Sequence, residues 1–141
     1  YMNDRLIGID FGLSKVGLSI SDPSKIISIP LKVIKYKTRE ELLSKLQEIA
    51  MENNVKSFVV GYPLNMNNKK NEMTKLVDDF LKELENLNFN VFLQDERLSS
   101  ETAKKIMHEQ NIKTGKNKEH IDLIASTIIL QSFLDKGDFN E

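Results

Sequence analysis

The stretch RLIGIDFGLSKVGLSI, residues 5 to 20, decides the fold. Two apolar runs, 5 to 11 and 16 to 20, flank Gly12 and a short LSK turn, which is the pattern of a β-hairpin. A third strand is expected within 26 to 36, IISIPLKVIKY. Pro30 cannot donate to a ladder, so this strand is expected at a sheet edge or beginning after the proline. Three strands with short connections predict an antiparallel meander.

Beyond residue 36 the period changes from two to that of a helix. Thr38 and Glu41 have capping-box spacing, and Leu42, Leu43, Leu46, Ile49 and Ala50 recur on one face. KSFVVG, 56 to 61, reads as a short buried strand of the parallel kind. Met73, Leu76, Val77, Phe80, Leu81, Leu84 and Leu87 form the next helical stripe, and NVFLQD, 90 to 95, the fifth strand. Ser99 or Ser100 can cap a helix carrying Ala103, Ile106 and Met107. A last helix is expected over about 120 to 135, with Ile121, Ile124, Ala125, Ile128 and Leu134 inward. Strands separated by helices pair in parallel through right-handed crossovers. The expected fold is therefore α/β: a mixed five-stranded sheet, three antiparallel strands followed by parallel ones, flanked by helices. Residues 1 to 141 are expected to form one domain.

Composition narrows the function. The chain has no cysteine, which excludes disulfide scaffolds, thiolate metal sites and cysteine nucleophiles. A net charge of −1 does not announce a polyanion binder, so such a ligand would need a local basic patch. Lys15, Lys69-Lys70, Lys104-Lys105 and Lys113, Lys116 and Lys118 are the candidates; each alone also reads as a solvated surface lysine. No apolar run approaches the roughly 18 residues of a membrane span. No signal peptide is visible, and Tyr1 ahead of Met2 reads as an addition to the natural start.

Ligands in open α/β sheets gather at the carboxyl ends of the strands. Asp10 closes the first strand, Asp95 and Glu96 the fifth, and Asp122 falls in the first turn of the last helix. Carboxylates from separate elements suit Mg²⁺, which prefers hard oxygen ligands and keeps some waters. Two such ions about 4 Å apart promote phosphodiester hydrolysis. Singly, each acid has a plainer reading. Asp10 can form a turn, Asp122 can complement a helix dipole, and Asp95-Glu96 can be solvated. Neighbouring strand residues face opposite sides, so one of Asp95 and Glu96 faces such a site; periodicity does not say which.

Four segments in this order carry a resemblance: GIDFGLSKVGLSISD (8 to 22), VVGYPLNMN (59 to 67), DERLSS (95 to 100) and IDLIASTIILQSFL (121 to 134). Together they resemble the YqgF/RuvX family, Holliday-junction-resolvase-like proteins with an RNase H-like fold, assigned to maturing the 5′ end of pre-16S rRNA. The resemblance covers nearly the whole chain. It implies a cytoplasmic, metal-dependent nuclease using Mg²⁺ or Mn²⁺ on structured nucleic acid, with no membrane partner, as a monomer or homodimer. It implies Asp10, Asp95 or Glu96, and Asp122 as catalytic metal ligands, and Lys15, Asn65, Arg97, Lys116 and Lys118 as substrate contacts. Gly8, Gly12 and Gly17 are expected to serve the tight first hairpin. Lys15 stands where the family usually has Arg. Resolution of DNA junctions is the alternative activity, and a non-catalytic nucleic-acid-binding module the second. GIDFGLSKVG also looks like the first phosphate loop of sugar kinases and actin-like ATPases, but no second glycine-rich loop follows a later strand.

Overall fold

The computed structural model describes residues 4 to 63, 71 to 95 and 118 to 137. The hairpin strands are β1 (Arg5–Asp10) and β2 (Lys15–Ser21), followed by β3 (Ser28–Lys35), α1 (Arg39–Glu52), β4 (Val55–Tyr62), α2 (Glu72–Asn86), β5 (Asn90–Asp95) and α3 (Lys118–Lys136). The sheet order is β3-β2-β1-β4-β5. β1, β2 and β3 pair antiparallel, whereas β1–β4 and β4–β5 are parallel. This is the expected mixed sheet. The helix expected after Ser99 or Ser100 lies outside the described residues.

β3 includes Pro30 and is an edge strand. The Asp22 amide donates to the Ile27 carbonyl at 3.1 Å, which makes 22 and 27 a hydrogen-bonded pair. Alternation from there makes Ser19 and Pro30 a non-hydrogen-bonded pair. The position of the missing N–H thus points to the open rim, where a proline costs no ladder bond. Leu18 pairs with Lys32 and Ser19 with Pro30, so Leu31 is an extra residue that bulges β3 itself. The Ser28 amide, also turned away from β2, donates instead to Gln131 Oε1 of α3 at 2.9 Å.

Both faces of the sheet are covered, which is why β1 and β4 read as nearly continuous apolar runs. One face packs Ile7, Ile9, Val16, Leu18, Phe58 and Val60 against α1 and α2. The other packs Leu6 and Val59 against Ile129, Leu130, Phe133 and Leu134 of α3. Thr38 caps α1 by accepting from the Glu41 amide at 3.1 Å. The reciprocal bond differs from the box expected: Glu41 Oε1 accepts from Lys37, one residue ahead of the cap.

α3 is seated by polar contacts as well as apolar ones. Ser19 Oγ donates to the Ser126 carbonyl at 2.8 Å, and Ser126 Oγ lies 2.9 Å from both the Gly8 carbonyl oxygen and Ser19 Oγ. Its single proton serves one of those acceptors at a time. The buried stripe of α3 is Ala125, Ser126, Ile129, Leu130, Phe133 and Leu134. Ile121, Ile124 and Ile128, expected inward, are only half-buried, because the stripe is rotated to bring Ser126 onto β1 and β2. Replacing Ser126 with Ala strands a buried hydrogen-bonding group at this contact, and urea unfolding is expected to show a loss of about 1–2 kcal/mol. An unchanged unfolding midpoint would mean that the serine pair does not hold α3.

Candidate active site

The site is assembled at the carboxyl end of β1 by two close approaches. A Cβ built on Gly17 would lie 2.3 Å from the Asp122 carbonyl oxygen and 3.1 Å from Asp122 Cβ. α3 therefore rests directly on β2 at Asp122, which lies in the second turn and not in the first turn expected, because the helix begins two residues earlier, at Lys118. Asp10 is the cross-strand partner of Gly17. A Cβ on Gly8 would meet Leu130 and Ser19 of the same layer. Gly8 therefore faces α3, and so does Asp10 two residues on. Sheet register and helix seating thus bring Asp10 and Asp122 to one end of the sheet, on one face. Gly8 and Gly17, expected to serve the hairpin turn, instead let helix and sheet approach.

Between the two acids' elements, the turn from 11 to 14 is pinned on its other side. Phe11 is buried and stacks on Phe80 of α2 with ring centroids 4.8 Å apart. The Arg39 guanidinium lies over both rings, 5.4 and 5.6 Å from their centroids, and pairs with Glu83. The Tyr36 hydroxyl donates to the Gly12 carbonyl oxygen, and the Tyr36 amide donates to the Ser14 carbonyl at 3.0 Å. Burial pushes the Tyr36 phenol above its ordinary pKa, so it remains a donor at neutral pH.

Lys15 enters from the start of β2. Its Nζ lies 3.2 Å from Asp122 Oδ2. That oxygen is shielded from solvent and accepts no hydrogen bond of good geometry among the described residues, so the lysine is a charge partner and not an aligned donor. Gln94 Oε1 is a second shielded acceptor with no hydrogen bond among the described residues. Phe92 of β5 packs on Phe133 of α3, with centroids 5.2 Å apart, so Gln94 shares the α3 face. Gln94 carried no signal in the sequence, because a polar residue near a strand end is ordinarily solvated.

The same alternation turns Asp95 to the opposite face. Its register partner Tyr62 donates to Asp78 Oδ1 of α2 at 2.8 Å, which fixes that face as the α2 side. The structure thus brings Asp10, Lys15 and Asp122 together and places Asp95 at the same sheet end but across the sheet. Glu96, Arg97, Asn65 and Lys116 lie outside the described residues. Lys118 opens α3, and its side chain is not described.

The mixed sheet, antiparallel and then parallel with helices on both faces, is an RNase H-like fold. A family model described as "RuvX: Holliday junction resolvase" matches residues 4–136, and the chain belongs to that family. A protein of Mycoplasmopsis synoviae (strain 53) named "Putative pre-16S rRNA nuclease" is 40% identical over 133 residues, covering 93% of this chain and 97% of its own. A namesake from Ruminiclostridium cellulolyticum is 38% identical over 134 residues, covering 94% of each. Among solved structures, Thermus thermophilus RuvC with its Holliday junction substrate shares the fold with a TM-score of 0.58 at 10% identity, over 96% of both chains. The fowlpox virus resolvase, also bound to a Holliday junction, gives 0.58 at 12% identity, over 95% of this chain and 99% of that one.

Proposed function

We propose that this chain is a divalent-metal-dependent endonuclease that trims the 5′ end of pre-16S rRNA in the cytoplasm, as one domain spanning the sequence. The observation that supports it best is the seating of Asp10 and Asp122 on one face, where Asp122 Oδ2 is shielded and matched by no well-aligned hydrogen bond among the described residues. An oxygen in that state suits a hard cation, and the donor set is all oxygen, as Mg²⁺ or Mn²⁺ requires. No cluster of three His, Cys, Asp or Glu side chains able to hold a metal occurs among the described residues. We assign the third carboxylate to Glu96 in preference to Asp95, because strand alternation gives Asp95 to the α2 face.

When bound, the ions supply an activated water and stabilise the leaving oxygen. The chain's own part is placement. The turn pinned by Phe11 and Tyr36 fixes Asp10, and Gly17 fixes Asp122. Lys15, Arg97, Asn65, Lys116 and Lys118 hold the sugar-phosphate backbone across the mouth of the site. The names of the relatives favour rRNA as substrate; the family description and the fold neighbours favour branched DNA.

The test sets two labelled substrates side by side in Mg²⁺, Mn²⁺ and EDTA: an RNA carrying the small-subunit precursor 5′ end, and a four-way DNA junction. The expected result is cutting of the RNA in either metal, silent in EDTA. Preferential cutting of the junction would replace the rRNA reading with a resolvase. Binding of both without cutting would make the chain a nucleic-acid-binding module.

A further inference from the structure

Lys15 raises a question that the proposed site leaves open. Its ammonium lies 3.2 Å from Asp122 Oδ2, a shielded oxygen that accepts no well-aligned hydrogen bond among the described residues. The main chain of Lys15 is fixed: it begins β2, opposite Lys35, and Gly12 packs against its carbonyl. Only the side chain can move. It is 31% exposed, so a path to solvent is open. A divalent cation on Oδ2 and an ammonium at that distance repel each other strongly, and a partly shielded site screens them poorly.

We propose that Lys15 is the resident counter-ion of Asp122 in the metal-free protein, and that metal loading ejects its ammonium to the mouth of the site, where it meets substrate phosphate. The proposal rests on the reading of Asp122 as a metal ligand. Two facts of chemistry favour lysine for such an exchange. Its ammonium is a compact point charge on a flexible stem, whereas arginine forms a rigid fork that grips a carboxylate with two bonds. The single contact to Asp122 is thus easy to give up. Lys15 thereby neutralises Asp122 while the ion is absent, lowers the affinity for the ion, and is released for the substrate when the ion arrives.

The test is a Mn²⁺ titration of the full chain by calorimetry, without nucleic acid, on wild type, Lys15→Met, Lys15→Arg and Asp122→Asn. Lys15→Met is expected to bind Mn²⁺ ~10-fold more tightly, because a competing charge is gone and the pair is partly exposed. Lys15→Arg is expected to bind more weakly than wild type. In EDTA, Lys15→Met is expected to melt below wild type and to recover with Mn²⁺; in an Asp122→Asn background, the effect of Lys15→Met on the melting temperature in EDTA is expected to vanish. If wild type binds Mn²⁺, Asp122→Asn does not, and Lys15→Met is unchanged or weaker, the exchange is overturned while the metal site stands. If neither wild type nor Lys15→Met binds Mn²⁺, the metal site itself fails and the exchange with it.

Discussion

Asp10→Asn is expected to abolish metal-dependent cutting, lowering the rate about a thousandfold or more, the scale of losing a preorganised electrostatic group at a reacting phosphate. The substitution keeps the shape of the side chain and removes its charge. The contacts that pin the hairpin turn do not use that charge: Phe11 is anchored by Phe80, and the turn is held by Tyr36. Folding should therefore survive, with most of the wild-type melting temperature kept in EDTA. Metal separates the two proteins. Wild type gains stability with Mn²⁺ according to its affinity, whereas the variant gains far less. Full activity in Asp10→Asn would remove this acid from the mechanism. Loss of activity with an equally large fall in melting temperature in EDTA would make it a folding residue.

Gly17→Ala is expected to be the most damaging single methyl in the described fold. The added Cβ would stand 2.3 Å from the Asp122 carbonyl oxygen and 2.7 Å from its carbon. Both are backbone atoms, and no flexible side chain is available to yield. β2 is an interior strand, held by β1 and β3, so α3 must be the partner that lifts. Overpacking of this kind costs about 1–3 kcal/mol, and the upper end is expected because backbone must move. The lift also carries Asp122 away from Asp10. Cutting should consequently fall by more than the fraction unfolded explains, with Mn²⁺ affinity falling in parallel. Wild-type stability and metal binding in Gly17→Ala would show that α3 does not need this contact.

Much of the fold follows from local signals. The hairpin, the antiparallel meander and the edge position of β3 follow from alternation, short connections and one proline, all of which act within a few residues. The candidate site was legible only as a set of sheet-end acids. Asp10 and Asp122 are 112 positions apart, and what joins them is the absence of side chains at Gly8 and Gly17 (122 − 10 = 112). A glycine in a strand signals a close approach without naming the partner, so both were assigned to the turn beside them. The serine pair escaped for a related reason. Ser19 and Ser126 look like solvent-facing positions until each supplies the other's partner. The faces of Asp95 and Gln94 depend on which side Phe92 packs, a fact held by α3 and not by β5.

The proline in β3 has a consequence far from the acids. Beyond the contacts with Gln131, the β3 edge of the sheet presents main chain that no described strand pairs, beside exposed Ile26, Ile27 and Ile29. Such a rim invites strands of other copies. Pro30 withholds a donor at its centre, the bulge at its side twists the strand, and exposed Lys32 and Lys35 set like charge against like whenever two copies meet there. Three unremarkable surface residues thus govern how crowded the protein can become before it begins to stack upon itself.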